Sequence, residues 1–327
     1  MNIYEAIKNF NQQFDYEPKI ENEDKLKSKF SKFVIGGMGG SNLASDLLKI
    51  RDPYLDILIH RNYGLPKISE NDLRERLLIA NSYSGNTEET IDFLLQAISK
   101  NLNLAVVSTD GKSIELAKEY NLPYIQMPDI GLQPRSALGF NLKAIVKLIG
   151  RSDLLKELDE LKDLLKPEEF EEKGKELAEK IKGYIPIIYS SAENICLAYN
   201  WKIKFNETSK IPAFYNVFPE LNHNEMAGFS IQHSSADFKE LIEKFYFIIL
   251  KDKNDHPRIQ KRMEVFEKLF TERGFQIEII NLEGVSVFHK IFNSLILADW
   301  TSYYLALYCS QDPEKVPLIE EFKNLIK

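Results

Sequence analysis

Hydroxyl side chains crowd one short stretch of this chain, Asn81-Ser82-Tyr83-Ser84-Gly85-Asn86-Thr87-Glu88-Glu89-Thr90. It follows an apolar run, Leu77 to Ala80, that reads as a buried strand, and precedes an amphipathic helical pattern from Ile91 to Leu95. A strand-to-helix turn of this kind offers Ser82, Ser84 and Thr87 as donors beside helix-start N–H groups that carry partial positive charge. Gly85 lets the backbone come close to a ligand. That chemistry suits a phosphate. The alternative is a helix cap with no ligand, because Asn86 with Glu89 three residues later resembles a capping box.

A second loop has unusual composition. Gly36-Gly37-Met38-Gly39-Gly40-Ser41 follows the first apolar run, Phe33 to Ile35. A dinucleotide fingerprint does not fit it: Asn42 stands where a third glycine would fall, the next strand ends in His60-Arg61 without a ribose-binding acid, and no Walker lysine is present. Gln133-Pro134-Arg135-Ser136 sits just before a helical pattern at the carboxyl edge of the same half. Arg135 can serve as a permanent positive charge in that crevice or as an ordinary surface arginine. Further on, Asn206-Glu207-Thr208-Ser209-Lys210 and Phe218-Pro219-Glu220-Leu221-Asn222-His223-Asn224-Glu225 flank a strand, so a carboxylate and an imidazole on loops are available for acid–base work. Each of those charged residues is otherwise a solvated side chain. No HExxH, cysteine pair or EF-hand loop supports a metal site, and His60, His233, His256 and His289 show no ligand spacing and read as structural.

The elements that must position these groups follow from hydrophobic periodicity. Phe33–Ile35, Leu55–Ile59, Leu77–Ala80, Leu104–Val107 and Tyr124–Met127 read as five strands separated by helices, which means a mostly parallel sheet covered on both faces. With the flavodoxin-like order 2-1-3-4-5, the crevice opens between the first and third strands, where the glycine loop and the serine loop lie. The plan repeats after a charged helical stretch from about Leu154 to Lys182: Tyr184–Tyr189, Ala213–Val217, Phe245–Leu250 and Gln276–Ile280 are expected strands, with closing helices near Val285–Cys309 and Pro317–Ile326. The expected fold is α/β, two doubly wound, mostly parallel-sheet domains over residues 1–152 and 153–327, with an active site in the cleft between them.

Composition excludes several classes. The 327 residues are 44% hydrophobic and 28% charged, as in a globular protein, and 42 Lys plus Arg against 49 Asp plus Glu give a formal charge of −7. Without a dense basic block, nucleic acid is not an expected partner. Cys196 and Cys309 lie in apolar helical patterns and read as reduced, structural thiols of a cytoplasmic protein. Charges in Met1–Lys8 interrupt any signal-peptide core, so no export is expected. His289-Lys290, Asn293 and Asp299 interrupt the most apolar late segment, which is therefore expected to be a core helix and not a membrane span.

Taken together, Gly37-Met38-Gly39-Gly40-Ser41, Asn81 to Thr87, Pro134-Arg135 and Asn216 to Glu225 resemble the bifunctional phosphoglucose/phosphomannose isomerases, members of the sugar-isomerase (SIS) fold group. The resemblance covers nearly the whole chain, including Asp312-Pro313 and Glu320-Glu321-Phe322-Lys323. The serine loop is common to phosphosugar-binding SIS domains, whereas the Glu220-to-Glu225 stretch is much more specific. The resemblance implies that Ser82, Ser84 and Thr87 bind the sugar phosphate and that Gly40 and Ser41 border the sugar. It makes Glu207 the general base, His223 and Lys323 the ring-opening groups, and Arg135 the stabiliser of the intermediate. It also implies a homodimer in which His223 crosses the interface, and no cofactor or metal.

These implied roles have physical reasons. Converting an aldose phosphate to a ketose phosphate moves a proton between C2 and C1 through an enediol(ate), so one carboxylate can take it and return it, contributing roughly 10²–10⁴-fold. The developing oxyanion needs fixed positive charge, and the closed ring of the substrate needs a separate acid–base group. The expected substrate is glucose 6-phosphate, with mannose 6-phosphate as the second candidate. Rival functions are a non-catalytic SIS sugar-phosphate-binding regulator, against which Glu207 and His223 argue, and an aminosugar-phosphate isomerase domain, for which no glutaminase nucleophile begins the chain. One departure from the family pattern stands out: Ser310-Gln311 occupies a place where a Gly-Val-like turn is expected.

Overall fold

Five apolar runs in the first half are short enough, and punctuated often enough by glycine and charged residues, to become strands instead of helices. The structure, a computed structural model, describes residues 2–26, 29–230 and 235–326. In the first unit, Met1–Leu165, the order is α1 (Ile3–Lys8), β1 (Lys32–Gly36), α2 (Gly40–Arg51), β2 (Asp56–His60), α3 (Glu70–Arg74), β3 (Leu77–Asn81), α4 (Glu88–Ser99), β4 (Leu104–Ser108), α5 (Lys112–Glu119), β5 (Tyr124–Gln126), α6 (Leu138–Leu148) and α7 (Ser152–Leu164). The strands are all parallel in the order β2-β1-β3-β4-β5, the flavodoxin-like order expected from the sequence.

Every residue of β3 and β4 is buried, as befits strands with helices on both faces. Phe93, Leu94 and Ala97 of α4 recur at helical spacing and pack with Val34, Leu78, Ala80 and Val106. The charged helix α7 stays with this unit because Leu154, Leu158 and Leu161 form one buried stripe. On its outer side Glu157 accepts from Arg51 Nε at 2.7 Å.

The second unit, Lys166–Lys327, contains α8 (Glu171–Ile181), β6 (Ile185–Ser191), α9 (Ile195–Lys204), β7 (Phe214–Phe218), α10 (Ala236–Ile242), β8 (Phe245–Lys251), α11 (Pro257–Thr271), β9 (Gln276–Asn281), α12 (Val287–Tyr308) and α13 (Pro317–Leu325). Its four parallel strands run β7-β6-β8-β9. Tyr189, Phe218, Phe247, Phe266 and Phe270 form an aromatic core on one face.

The apolar helix α12 is a core helix, and the polar residues that interrupt its sequence are engaged. Lys290 pairs with buried Asp252, Asn293 Nδ2 donates to Glu283 O at 3.2 Å, and Asp299 accepts from Lys204 Nζ at 2.5 Å. Among the described residues no helix is long and apolar enough to cross a membrane. Gly174 of α8 lets that helix approach closely, since a Cβ there would lie 2.4 Å from Trp300 Cβ. The C-terminus of α12 is closed by two bonds, Ser310 N–H to Leu307 O at 3.0 Å and Gln311 N–H to Ala306 O at 2.9 Å. This is a Schellman motif. Its left-handed position, usually glycine, is taken by Ser310 at φ +54°.

Candidate active site

In the first sheet the chain runs outward in opposite directions from the β1/β3 pair, so the loops after these strands diverge and leave a crevice. The glycine loop is shorter than its sequence suggests: Gly40 and Ser41 already belong to α2, behind Gly39 at φ +48°. Gly37 is required for contact with the neighbouring strand, because a Cβ there would fall 2.3 Å from Asn81 O. Ser41 joins the two loops, its carbonyl accepting from Asn81 Nδ2 at 2.7 Å and its hydroxyl accepting from the Tyr83 N–H at 2.9 Å.

The helix start after the serine loop differs from a capping box. Thr87, not Asn86, is the N-cap of α4, and its hydroxyl makes no capping bond. Asn86 turns away, its side-chain oxygen accepting from Lys112 N–H at 3.0 Å. Thr87 Oγ1 lies instead 2.9 Å from Ser82 Oγ, which also accepts from the Gly85 N–H at 3.1 Å. Ser82 is buried, Thr87 half-buried and Ser84 exposed, so three hydroxyls are graded in depth around one helix N-terminus. Hydroxyl protons rotate to suit an acceptor, and the α4 start is compatible with an anion.

Gly85 has a neighbour that the sequence does not show. At φ +71° its Cβ position would lie 1.7 Å from Asp110 O, so a glycine is required for close approach to the loop after β4. That loop clasps the serine turn: Ser113 Oγ donates to Gly85 O at 3.0 Å and Thr109 Oγ1 to Tyr83 O at 2.7 Å. Burial, with the Asp129 carboxylate adding to it, pushes the Tyr83 phenol up to about 12, so it adds no negative charge beside an anion at neutral pH. Sequence analysis gave Asn81 no role of its own and missed Asp110 and Ser113, for which the Asp110-Gly111 pair following a strand is the one turn signal available.

Arg135 stands in a 3-10 turn, Pro134–Ser136, that packs on the glycine loop: a Cβ on Gly40 would be 2.8 Å from both Arg135 N and Pro134 C. It is not a surface arginine, being only 1% exposed. A guanidinium at that depth keeps its charge and must be compensated by its surroundings. Gly40, Ser41, Ser82, Ser84, Thr87 and Arg135 therefore gather at one edge of the first unit.

In the second unit Glu207 is on a helix and not on a loop. Phe205–Ser209 continues α9 as a single π turn, a rare feature that recurs at functional sites. Its flanks are fixed to α12. Lys204, 1% exposed, donates to Asp299, and Ser209 Oγ donates to Ser302 O at 2.7 Å. Phe205 and Thr208 point inward while Glu207 is half-buried. Lys210, at φ +57°, ends the turn and reaches the Asp312 carbonyl in the segment leading to α13.

His223 closes a 3-10 turn, Glu220–His223, just after β7. It is exposed, and its ring has no side-chain partner among the described residues. Both oxygens of Glu225 are committed, one to Tyr189 OH and the other to Asn216 Nδ2, and Glu220 accepts from Asn224 Nδ2 at 2.7 Å. Lys323 lies on α13, which is exposed along its described length. Glu207, His223 and Lys323 thus occupy three separate elements. Of the other histidines, His60 bonds Gly64 O at 2.9 Å, His256 accepts from Arg258 N–H at 3.1 Å and His289 from Val285 N–H at 3.1 Å, all local structural roles. His233 falls outside the described residues.

Known proteins resemble this chain in sequence and in fold. Residues 170–326 match the family model described as bacterial phospho-glucose isomerase C-terminal SIS domain. The chain is 34% identical over 331 residues to the bifunctional phosphoglucose/phosphomannose isomerase of Aquifex aeolicus, covering 99% of this chain and 98% of that one. It is 32% identical to the protein of the same name from Caldicellulosiruptor bescii, covering 98% of each. Among solved structures, glucosamine-6-phosphate deaminase from Thermotoga maritima shares the fold with a TM-score of 0.66 at 16% identity, covering 96% of each chain. Near-full-length identity of this order, on a sheet order and loop set of this kind, means that the chain belongs to the family of bifunctional phosphoglucose/phosphomannose isomerases.

Proposed function

We infer that this chain interconverts glucose 6-phosphate and mannose 6-phosphate with fructose 6-phosphate through an enediol(ate), without a metal or other cofactor, as a cytoplasmic enzyme. The observation that carries the reading is the start of α4, where Thr87 heads the helix without capping it and shares a hydroxyl pair with Ser82. Ser82, Ser84 and Thr87 take the phosphate, and Gly40 and Ser41 border the sugar. Arg135 holds the developing oxyanion, since its charge persists at any working pH and its burial keeps competing water away.

Glu207 takes the proton from C2, returns it at C1 and reverses the transfer for the opposite reaction. Half-burial on a turn anchored at both ends limits its freedom, which favours a group that must address two adjacent carbons in turn. His223 with Lys323 moves protons between the ring oxygen and the anomeric hydroxyl to open the ring. An exposed imidazole without a side-chain partner among the described residues suits a homodimer in which His223 of the partner subunit serves each site.

The test is a coupled assay of the purified chain with each hexose 6-phosphate, with and without chelator, together with solvent exchange of the substrate C2 hydrogen. Both sugars should turn over, chelator should have no effect, and Glu207→Gln should lose turnover by roughly 10²–10⁴-fold and lose the exchange while still binding sugar phosphate. Absence of turnover in the wild type would remove the isomerase reading, and exchange at the wild-type rate in Glu207→Gln would remove Glu207 as the base.

A further inference from the structure

From Glu220 to Glu225 every side chain but one is buried or hydrogen-bonded to a neighbour. Leu221 is fully buried in the aromatic core. Asn222 Oδ1 accepts from Arg262 Nη1 of α11 at 3.1 Å, and Asn224 bonds both Glu220 and the Glu225 N–H, at 2.7 and 2.6 Å. Glu225 accepts from Tyr189 of β6 and Asn216 of β7. Of these side chains His223, which is exposed, is the one bonded to no other side chain among the described residues.

We propose that Glu225 is the positioning residue of His223: its carboxylate bridges Tyr189 and Asn216, ties the turn back to two adjacent strands, and so fixes where the imidazole is presented. The proposal rests on the reading of His223 as a ring-opening group. A carboxylate suits the task because its two oxygens accept from two donors on different strands, and bonds to a charged acceptor are about twice as strong as neutral ones. The Tyr189 ring is itself immobilised, 1% exposed, with its centroid 5.4 Å from Phe266 and 6.0 Å from Phe218. Burial and the Glu225 charge hold its phenol far above the usual tyrosine range, so it remains a donor at any working pH. Asn216 closes the loop from the other side, on the strand that leads into it. With both oxygens occupied, Glu225 supports the turn and leaves proton transfer at carbon to Glu207.

The test is a double-mutant cycle on steady-state turnover of glucose 6-phosphate. Tyr189→Phe keeps the packed ring and removes one bond to Glu225. Glu225→Gln places an amide N–H2 group against that of Asn216, and Asn216→Asp in the same chain restores an acceptor there. Tyr189→Phe and Glu225→Gln are expected to lower kcat by about tenfold or more with KM nearly unchanged, because the displaced group acts in a chemical step. Neither should lower kcat further in a His223→Ala background, and Glu225→Gln with Asn216→Asp should recover most of the loss. Losses that multiply with His223→Ala, or a Glu225→Gln kcat equal to wild type, would overturn the positioning role while leaving His223 in place. Wild-type turnover in His223→Ala alone would overturn the ring-opening assignment and the positioning role with it. Should Glu225→Gln fail to fold, the Tyr189→Phe arm completes the cycle by itself.

Discussion

Gly85 gives a quantitative handle on the loop proposed to bind phosphate. An alanine there meets two penalties. At φ +71° a side chain costs about 1–2 kcal/mol of backbone energy, and the added Cβ would lie 1.7 Å from Asp110 O, half the 3.4 Å at which ordinary contact begins. The obstacle is backbone held by hydrogen bonds, so relief requires the loops after β3 and β4 to part by more than an ångström. Gly150 is a matched control, with φ +73° and nothing within 4 Å of its Cβ position. Gly150→Ala should therefore lose only the backbone cost, about 1–2 kcal/mol, with unchanged kinetics. Gly85→Ala should lose more stability and, because displacement of this size misplaces all three hydroxyls, should lower kcat/KM by roughly 10²-fold. Thermal unfolding of both variants with and without hexose 6-phosphate, alongside kcat/KM, reads both terms. Equal stability losses in the two variants with unchanged kcat/KM in Gly85→Ala would refute the claim that the Asp110 loop shapes the proposed phosphate site.

Ser84→Ala combined with Thr87→Ala should mainly raise KM, since a phosphate taken by these hydroxyls as proposed is held alike in ground and transition states; each lost charge-assisted bond is worth roughly 1.5–3 kcal/mol, and an unchanged KM would place the phosphate elsewhere. Ser310→Gly should raise stability by about 1 kcal/mol by relieving the left-handed serine at the end of α12. A denaturant midpoint that does not rise would contradict this. Arg151 forks onto Asp153 at 2.8 and 2.7 Å and reaches Asp52 at 2.7 Å, and this fork lowers the Asp153 carboxyl from 3.8 to about 2. A depressed folded-state value means that the stabilisation is complete above the unfolded value and is lost as pH falls through the folded one. Arg151→Gln should accordingly flatten the loss of stability between about pH 4 and pH 2, and denaturant unfolding across that window with an unaltered slope would exclude the pair as a contributor.

The strands were legible because each is an apolar run bounded by turn residues, and the flavodoxin-like order of the first unit was expected from strands alternating with helices and places both unusual loops at one crevice. Both depend on local pattern. The parts that were not legible depend on partners distant in sequence. Asn86 followed by Glu89 fits a capping box, but the backbone N–H of Lys112 competes for the Asn86 oxygen and wins. Gly85 signals close approach without saying to what, and the neighbour is Asp110. The run Asn206 to Lys210 contains no glycine or proline to mark a helix ending in a π turn. Its geometry is set by Asp299 and Ser302, more than ninety residues away along the chain. Nothing near Glu225 in the sequence shows that Tyr189, 36 residues earlier, occupies one of its oxygens.

The π turn at Phe205–Ser209 makes chain length, and not only residue type, a determinant of this site. A π turn holds one more residue than the α-helical path between the same two anchors, and here the anchors are Lys204 on Asp299 and Ser209 on Ser302. Deleting a single residue between them would let the segment relax to α-helical hydrogen bonding with both anchors kept, but at 3.6 residues per turn a shift of one position turns a side chain between them by about 100°. Ser209 would stay on α12 while Glu207 would swing off its bearing. Substitutions can therefore accumulate on this turn in ways that insertions and deletions cannot.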